Sequence, residues 1–259
     1  MTILENSLMI PLRALIFDVD GTLAETERDA HRVAFNDTFA EYQLDWHWSE
    51  SLYGELLSVT GGKERIKFYL EHYLPYVPLP TDQFIAELHR KKTDRYNNLI
   101  SHAQIPLRPG VQRLITEAHQ KNLTLAIATT TSLENVITLL ERSRHPIPVE
   151  WFKVIAAGEM VDKKKPAPDV YEYALKELGL SAQECLAFED SRNGLRSARG
   201  AQLRTIITVN DYTQHEDFTE ALLVLNHLGE PDHPFTVLSG QVGQAHYVDV
   251  SLLYHLHSQ

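Results

Sequence analysis

Asp18-Val19-Asp20 places two carboxylates two residues apart, after the apolar run Ala14–Phe17 and before Gly21-Thr22. In extended backbone residues i and i+2 share a face, so both carboxylates can enter one site. Two anions that close repel unless a cation lies between them or one is protonated. A second acidic pair, Glu189-Asp190, follows another apolar run, Cys185–Phe188. The four carboxylates form a hard oxygen set that suits Mg2+, which keeps waters and substrate phosphate in its octahedral shell. Thr129, Thr131 and Ser132 offer hydroxyls and backbone amides ahead of a helical stretch, a ready anion pocket. Of the run Lys163-Lys164-Lys165, Lys165 abuts the rigid turn Pro166-Ala167-Pro168 and has the most fixed reach. Each piece alone has an ordinary reading: a solvated turn, an acidic pair favoured by a helix macrodipole, N-caps, a solvated basic face. Their agreement points to phosphoryl transfer, which depends on positioning and charge neutralisation.

These residues need strand ends to carry them. The apolar runs Ala14–Phe17, Leu123–Ala128, Cys185–Phe188 and Leu203–Val209 each stop abruptly at polar residues, as buried parallel strands do. Helical stretches over Val111–Lys121, Leu133–Arg142, Pro168–Leu178 and Gly194–Ala198 separate them. That alternation predicts an α/β fold, a doubly wound parallel sheet, with ligands bound beyond the strands' carboxyl ends. Residues 26–102 show helical spacing only and are too long for a loop, so they read as an inserted all-helical cap. Residues 1–25 and 103–259 then form the core. In the tail, Tyr247–Val250 is expected as an edge strand, with helix and loop around it. Trp46 and Trp48 read as cap core, and Cys185 as a structural residue inside a strand.

Composition removes several functions. The 259 residues carry 24 Lys+Arg against 35 Asp+Glu, a net charge of −11, with 13 histidines counted neutral. Such a chain lacks the basic footprint of a nucleic-acid binder and is a poor ligand for an anionic membrane surface. One cysteine excludes an intrachain disulfide and a Cys-based zinc cluster, which fits a reducing compartment. Met1–Leu12 reads poorly as a secretory signal, and the apolar runs fall far short of the roughly 20 residues that span a bilayer. A cytoplasmic monomer acting on a small molecule is the expectation.

The motifs Asp-x-Asp-Gly-Thr, a strand-end Thr, Lys-Pro-Ala-Pro-Asp and Glu-Asp-Ser-x-x-Gly, in this order, resemble those of the haloacid dehalogenase superfamily. The resemblance implies Asp18 as the nucleophile on phosphorus and Asp20 as the acid and base. It implies Thr129 on the phosphoryl oxygens, Lys165 as the neutralising cation, and Mg2+ on Asp18, the Asp20 carbonyl and Asp190, with Glu189 close by. An insert between the first two motifs resembles the subgroup with a helical cap. Further segments, among them His31–Asn36, Thr60–Ile66 and Ala156–Val161, are similar to the CbbY-type sugar phosphatases, from about Arg13 to His215. That similarity implies xylulose-1,5-bisphosphate as substrate; a β-phosphoglucomutase-like mutase, with the same nucleophile and acid, is the alternative. Lys63 and Arg65, after Gly61-Gly62, could hold a second phosphate. Glu25, His31 and Tyr53 are candidates for the sugar hydroxyls, each with a plain structural alternative as helix start, satisfied histidine or core aromatic. The stretch from Glu25 to His31 is one residue longer than the family pattern.

Overall fold

The computed structural model describes residues 10–103 and 105–259. Seven strands form one sheet: β1 (Ala14–Phe17), β2 (Thr124–Ala128), β3 (Phe152–Ala156), β4 (Cys185–Glu189), β5 (Arg204–Thr208), β6 (Leu223–Leu225) and β7 (Val237–Ser239). Their order is β3-β2-β1-β4-β5-β6-β7, parallel throughout except that β7 runs antiparallel to β6. β1 lies inside the sheet between β2 and β4, with Phe17 in register with Ile127 of β2 and Phe188 of β4. All four β1 residues are buried, and alternation divides them between two layers. Leu15 and Phe17 join the cluster formed with α5 (Val111–Gln120), α6 (Leu133–Arg142) and α9 (Val250–His257). Ala14 and Ile16 face α7 (Asp169–Leu178) and α8 (Arg192–Gly200), where Ala126, Ala187 and Ala198 keep the contact surface small. The sheet is thus doubly wound, as its hydrophobic runs predict.

Between β1 and α5 the described chain holds helices and no named strand: α1 (Arg32–Glu41), α2 (Glu50–Leu56), α3 (Gly62–Tyr73) and α4 (Asp82–Ala103). They enclose their own apolar cluster around Phe35, Phe39, Trp48, Tyr53, Leu56 and Ile66, with Trp46 and Trp48 buried inside it. Ala30, Ala34, Tyr96 and Ile100 instead join the sheet-side cluster, which seats this layer on the core. A π-helical turn over Glu27–His31 leads into α1.

The expected strand at Tyr247–Val250 is corrected. The Asp249 side chain accepts a hydrogen bond from the Leu252 amide, capping α9, and Val250, Leu252, Leu253 and Leu256 then face the core with helical spacing. The tail's strands are β6 and β7, too short for their periodicity to show. Among the described residues no helix is long and apolar enough to cross a membrane.

Candidate active site

The sheet's carboxyl edge gathers the motif residues because β1, β2 and β4 end at the same level. Asp18 follows β1, its amide donating to the Phe188 carbonyl at 3.0 Å, and Thr129 follows β2, its amide donating to the Ala156 carbonyl at 3.0 Å. Glu189 ends β4 and Asp190 follows it. The Lys165 ammonium reaches in from the loop before α7, donating to Asp18 Oδ1 at 2.6 Å, Glu189 Oε1 at 2.5 Å and the Ala128 carbonyl at 3.0 Å. Tyr171 of α7 donates to the same Glu189 oxygen at 2.5 Å. Every one of these side chains is buried.

Three carboxylates against one ammonium leave the floor of the site short of positive charge. Burial pushes the Asp18 carboxyl up to about 7, the Lys165 charge working against the rise and Glu189 adding to it. Burial, with the charges of Asp18 and Glu189, raises Asp190 well above the carboxylate range. The Lys165 ammonium is raised as well: burial disfavours its charge, yet the neighbouring Asp18 and Glu189 outweigh it and hold the lysine firmly protonated. Oxygens of Asp18, Glu189 and Asp190 lie within 4.8 Å of one another, a donor set of hard oxygens that fits Mg2+. Gly21, at φ +84°, keeps this space open, since a Cβ there would collide with Asp190 Oδ2. The motif glycine Gly194 acts likewise, because a side chain on it would displace the Glu189 carboxylate.

Asp20 points away from this floor. Its Oδ1 accepts from Thr26 Oγ1 at 2.5 Å and lies 2.9 Å from His31 Nε2. Burial alone would raise its pKa, but His31, Thr26 and the Lys92 charge together bring it down to about 2. Lys92, buried on α4, stands 2.5 Å from His31 Nδ1, and the His31 ring stacks on Tyr96 with centroids 4.1 Å apart.

The cavity has two lobes that share Asp20, Glu27, Arg65 and Thr130 in their walls. One, with about 90 Å³ of free space, holds Asp18, Thr129, Lys165, Glu189 and Asp190. The other, about 130 Å³, lies between α3, α4 and the start of α6 and is edged by Lys63, Lys92 and Lys164. His89 also lines it, its pKa pushed down to about 3 by burial and by those lysines, so its imidazole stays neutral.

Of the sugar-facing candidates, His31, Lys63, Arg65, Thr131 and Ser132 line the second lobe. Arg65 is held within the cap, donating to Tyr53 Oη at 2.8 Å and to the Leu56 and Val59 carbonyls. Ser132 Oγ accepts from the Asn135 amide at 3.3 Å as the N-cap of α6. Two of the candidates line neither lobe. Glu25 pairs with Arg108 at 2.8 Å and lines neither lobe, because the chain turns between it and Glu27. Tyr53 is fully buried among the cap aromatics, and its hydroxyl reaches the cavity wall only through Glu27, to which it donates at 2.5 Å. Glu27 and Lys92 are, with Tyr171 and His89, among the site residues that the sequence alone does not single out. Glu27 sits in an acidic stretch among similar neighbours, and Lys92 in the charged run His89–Arg95, which reads as a solvated face.

Protein CbbY of Cereibacter sphaeroides is 50% identical to this chain over 221 residues, covering 85% of this chain and 94% of that one. The CBBY-like protein of Arabidopsis thaliana is 40% identical, over 84% of this chain and 70% of its own. Among solved structures, a CbbY mutant from Rhodobacter sphaeroides in complex with xylulose-(1,5)bisphosphate superimposes with a TM-score of 0.77 at 49% identity, covering 83% of this chain and 94% of that one. A β-phosphoglucomutase from Clostridium difficile shares the fold, with a TM-score of 0.69 at 20% identity over 82% of this chain and 90% of that one. The model of the haloacid dehalogenase-like hydrolases matches residues 15–208, the span from β1 to the end of β5 that carries every motif residue at the sheet edge. The chain belongs to that hydrolase family.

Proposed function

We propose that this hydrolase is a Mg2+-dependent phosphatase of a small sugar bisphosphate, xylulose-1,5-bisphosphate, which it converts to xylulose 5-phosphate and inorganic phosphate. The observation that carries the reading is the pairing of Asp18 with Lys165 in one lobe of a cavity whose other lobe is edged by Lys63, Lys92 and Lys164. A bisphosphate has an anion for each lobe. The xylulose bisphosphate complex of the CbbY relative supports the choice of sugar.

In this reading an Asp18 carboxylate oxygen attacks phosphorus, the bond from phosphorus to the sugar oxygen breaks, and Asp20 protonates the departing oxygen. Asp20 then takes a proton from water, whose oxygen attacks the aspartyl-phosphate and releases inorganic phosphate and the Asp18 carboxylate. Asp20 is held ionised in this arrangement, ready for the second step. For the first it needs a proton, and His31 Nε2, 2.9 Å away, is placed to share one. Thr129 donates to the phosphoryl oxygens, while Lys165 neutralises Asp18 and the incoming phosphate. Glu189, gripped by Lys165 and Tyr171, fixes the direction of the lysine. When bound to Asp18, the Asp20 carbonyl and Asp190, Mg2+ supplies Lewis-acid stabilisation of the phosphoryl charge. Residues 26–102 serve as the cap and 1–25 with 103–259 as the core, of which 1–9 and 104 lie outside the described residues, in a cytoplasmic monomer.

Incubation with xylulose-1,5-bisphosphate and Mg2+ tests this directly. One equivalent of phosphate and xylulose 5-phosphate is the expected product pair, with little turnover of glucose 6-phosphate. Isomerisation of β-glucose 1-phosphate without net phosphate release would replace the phosphatase with a mutase.

A further inference from the structure

Arg108 lies outside both lobes, yet it is a buried cation whose donors go to Glu25, to the loop after β1 and to the ends of β5 and β6. It follows the return of the chain from the cap, where its amide donates to the Leu23 carbonyl at 2.8 Å. Nε pairs with Glu25 at 2.8 Å. Nη1 donates to the Gly21 carbonyl, to the Thr208 carbonyl at 2.9 Å and to Thr208 Oγ1 at 3.3 Å. Nη2 donates to the carbonyls of Val209 at 2.5 Å and Asn226 at 2.8 Å. One planar fork therefore ties the loop after β1 to the ends of β5 and β6, a task a lysine's three donors on one atom cannot repeat.

Two of those carbonyls belong to segments that touch Asp190. Gly21 packs so closely on the Asp190 carboxylate that a Cβ would collide with it, and the Gly21 amide group belongs to the same turn as the Asp20 carbonyl. Val209 precedes Asn210, whose Nδ2 donates to Asp190 Oδ2 at 2.7 Å. We infer that Arg108 is a positioning residue for the divalent cation, fixing Asp190 and the Asp20–Gly21 turn from behind without touching metal or substrate. The inference rests on the proposed cation at Asp18 and Asp190. Outer contacts of this kind change metal affinity by about 10- to 100-fold when removed.

The test is Mn2+ binding to the substrate-free full chain, followed by electron paramagnetic resonance, for the wild type, Asp190→Asn, Arg108→Met, Arg108→Lys, Asn210→Ala and the Arg108→Lys/Asn210→Ala double variant. The wild type should bind one Mn2+ that Asp190→Asn loses; failure of that control removes the cation reading itself, and the inference with it. Given binding, Arg108→Met should weaken Mn2+ at least tenfold and Arg108→Lys less, with KM for the sugar phosphate within about twofold at saturating metal. If Arg108→Met does not fold, Arg108→Lys and the double variant decide, because Arg108 and Asn210 acting on one carboxylate give combined losses smaller than the product of the separate ones. Unchanged Mn2+ affinity in folded Arg108 variants, fully multiplicative losses, or equal losses in metal and sugar-phosphate binding would overturn the inference.

Discussion

Asp18 is buried beside Glu189 and Asp190, and its carboxyl is pushed up to about 7 by that burial despite the Lys165 ammonium at 2.6 Å. A carboxyl whose folded pKa stands above its unfolded value of about 3.9 holds its proton better in the fold, so its contribution to stability is present at low pH and is lost as pH rises from about 4 through 7. At pH 8 and without divalent cation, Asp18→Asn therefore raises the melting temperature, by at least about 2 °C if the relief reaches about 1 kcal/mol. The same substitution removes the nucleophile, so phosphate release falls by at least about a thousandfold. A scanning calorimetry trace unmoved or lowered, or retained turnover, would contradict this account of Asp18. Lys63 edges the second lobe from an exposed position, and its loss should affect binding more than chemistry. Lys63→Ala is expected to raise KM for a bisphosphate by about tenfold, with kcat little changed and monophosphate kinetics untouched; equal effects on both substrate classes would place Lys63 elsewhere. Asp18, Thr129, Lys165 and Asp190 were legible because each stands at the end of a short apolar run or against a proline turn. Lys92, Asn210 and Arg108 were not, because tertiary contacts 61, 20 and 87 residues apart in sequence give them their partners.

The helices explain motif residues that chemistry alone does not. Gly194 lies in the first turn of α8 with the Ser191 hydroxyl accepting its amide proton at 3.1 Å, and its bare α-carbon faces the Glu189 carboxylate. Gly194→Ala is thus expected to push Glu189 off Lys165 and Tyr171, lowering kcat at least tenfold and stability by roughly 1–3 kcal/mol for the disturbed buried charges. Denaturant melts and steady-state rates read both, and a silent Gly194→Ala would mean that Glu189 has room to retreat. At this scale the sequence was most readable where period and boundary signals coincide. β1 and α6 have the expected limits, Ser132 capping α6. β3, with Lys153 exposed at the sheet edge, and the three-residue β6 and β7 have too little alternation to be seen. The choice between Glu25 and Glu27 depended on the π-turn over Glu27–His31, which no apolar period announces.

The whole molecule sets the apolar clusters on the two faces of the sheet and the one among the cap helices around a polar cavity. The residues after β5 lie beyond the family match, yet they close the fold: β6 and β7 extend the sheet, and α9 buries Val250, Leu252, Leu253 and Leu256 in the main cluster. At about 1.5–3 kcal/mol for each such side chain, α9 contributes on the scale of a typical domain's net stability. Truncation before Val250 is expected to abolish cooperative melting, and a truncated chain that kept the full melting temperature would show α9 to be dispensable. The central claim is that a phosphoryl group passes through Asp18 on its way to water. Rapid acid quench during turnover of labelled xylulose-1,5-bisphosphate with Mg2+, followed by peptide mapping, addresses it most directly. The label should appear transiently on the peptide containing Asp18 and decay as inorganic phosphate accumulates. Phosphate release at full rate with no label on that peptide would contradict the covalent route and the role given to the Asp18–Lys165 pair.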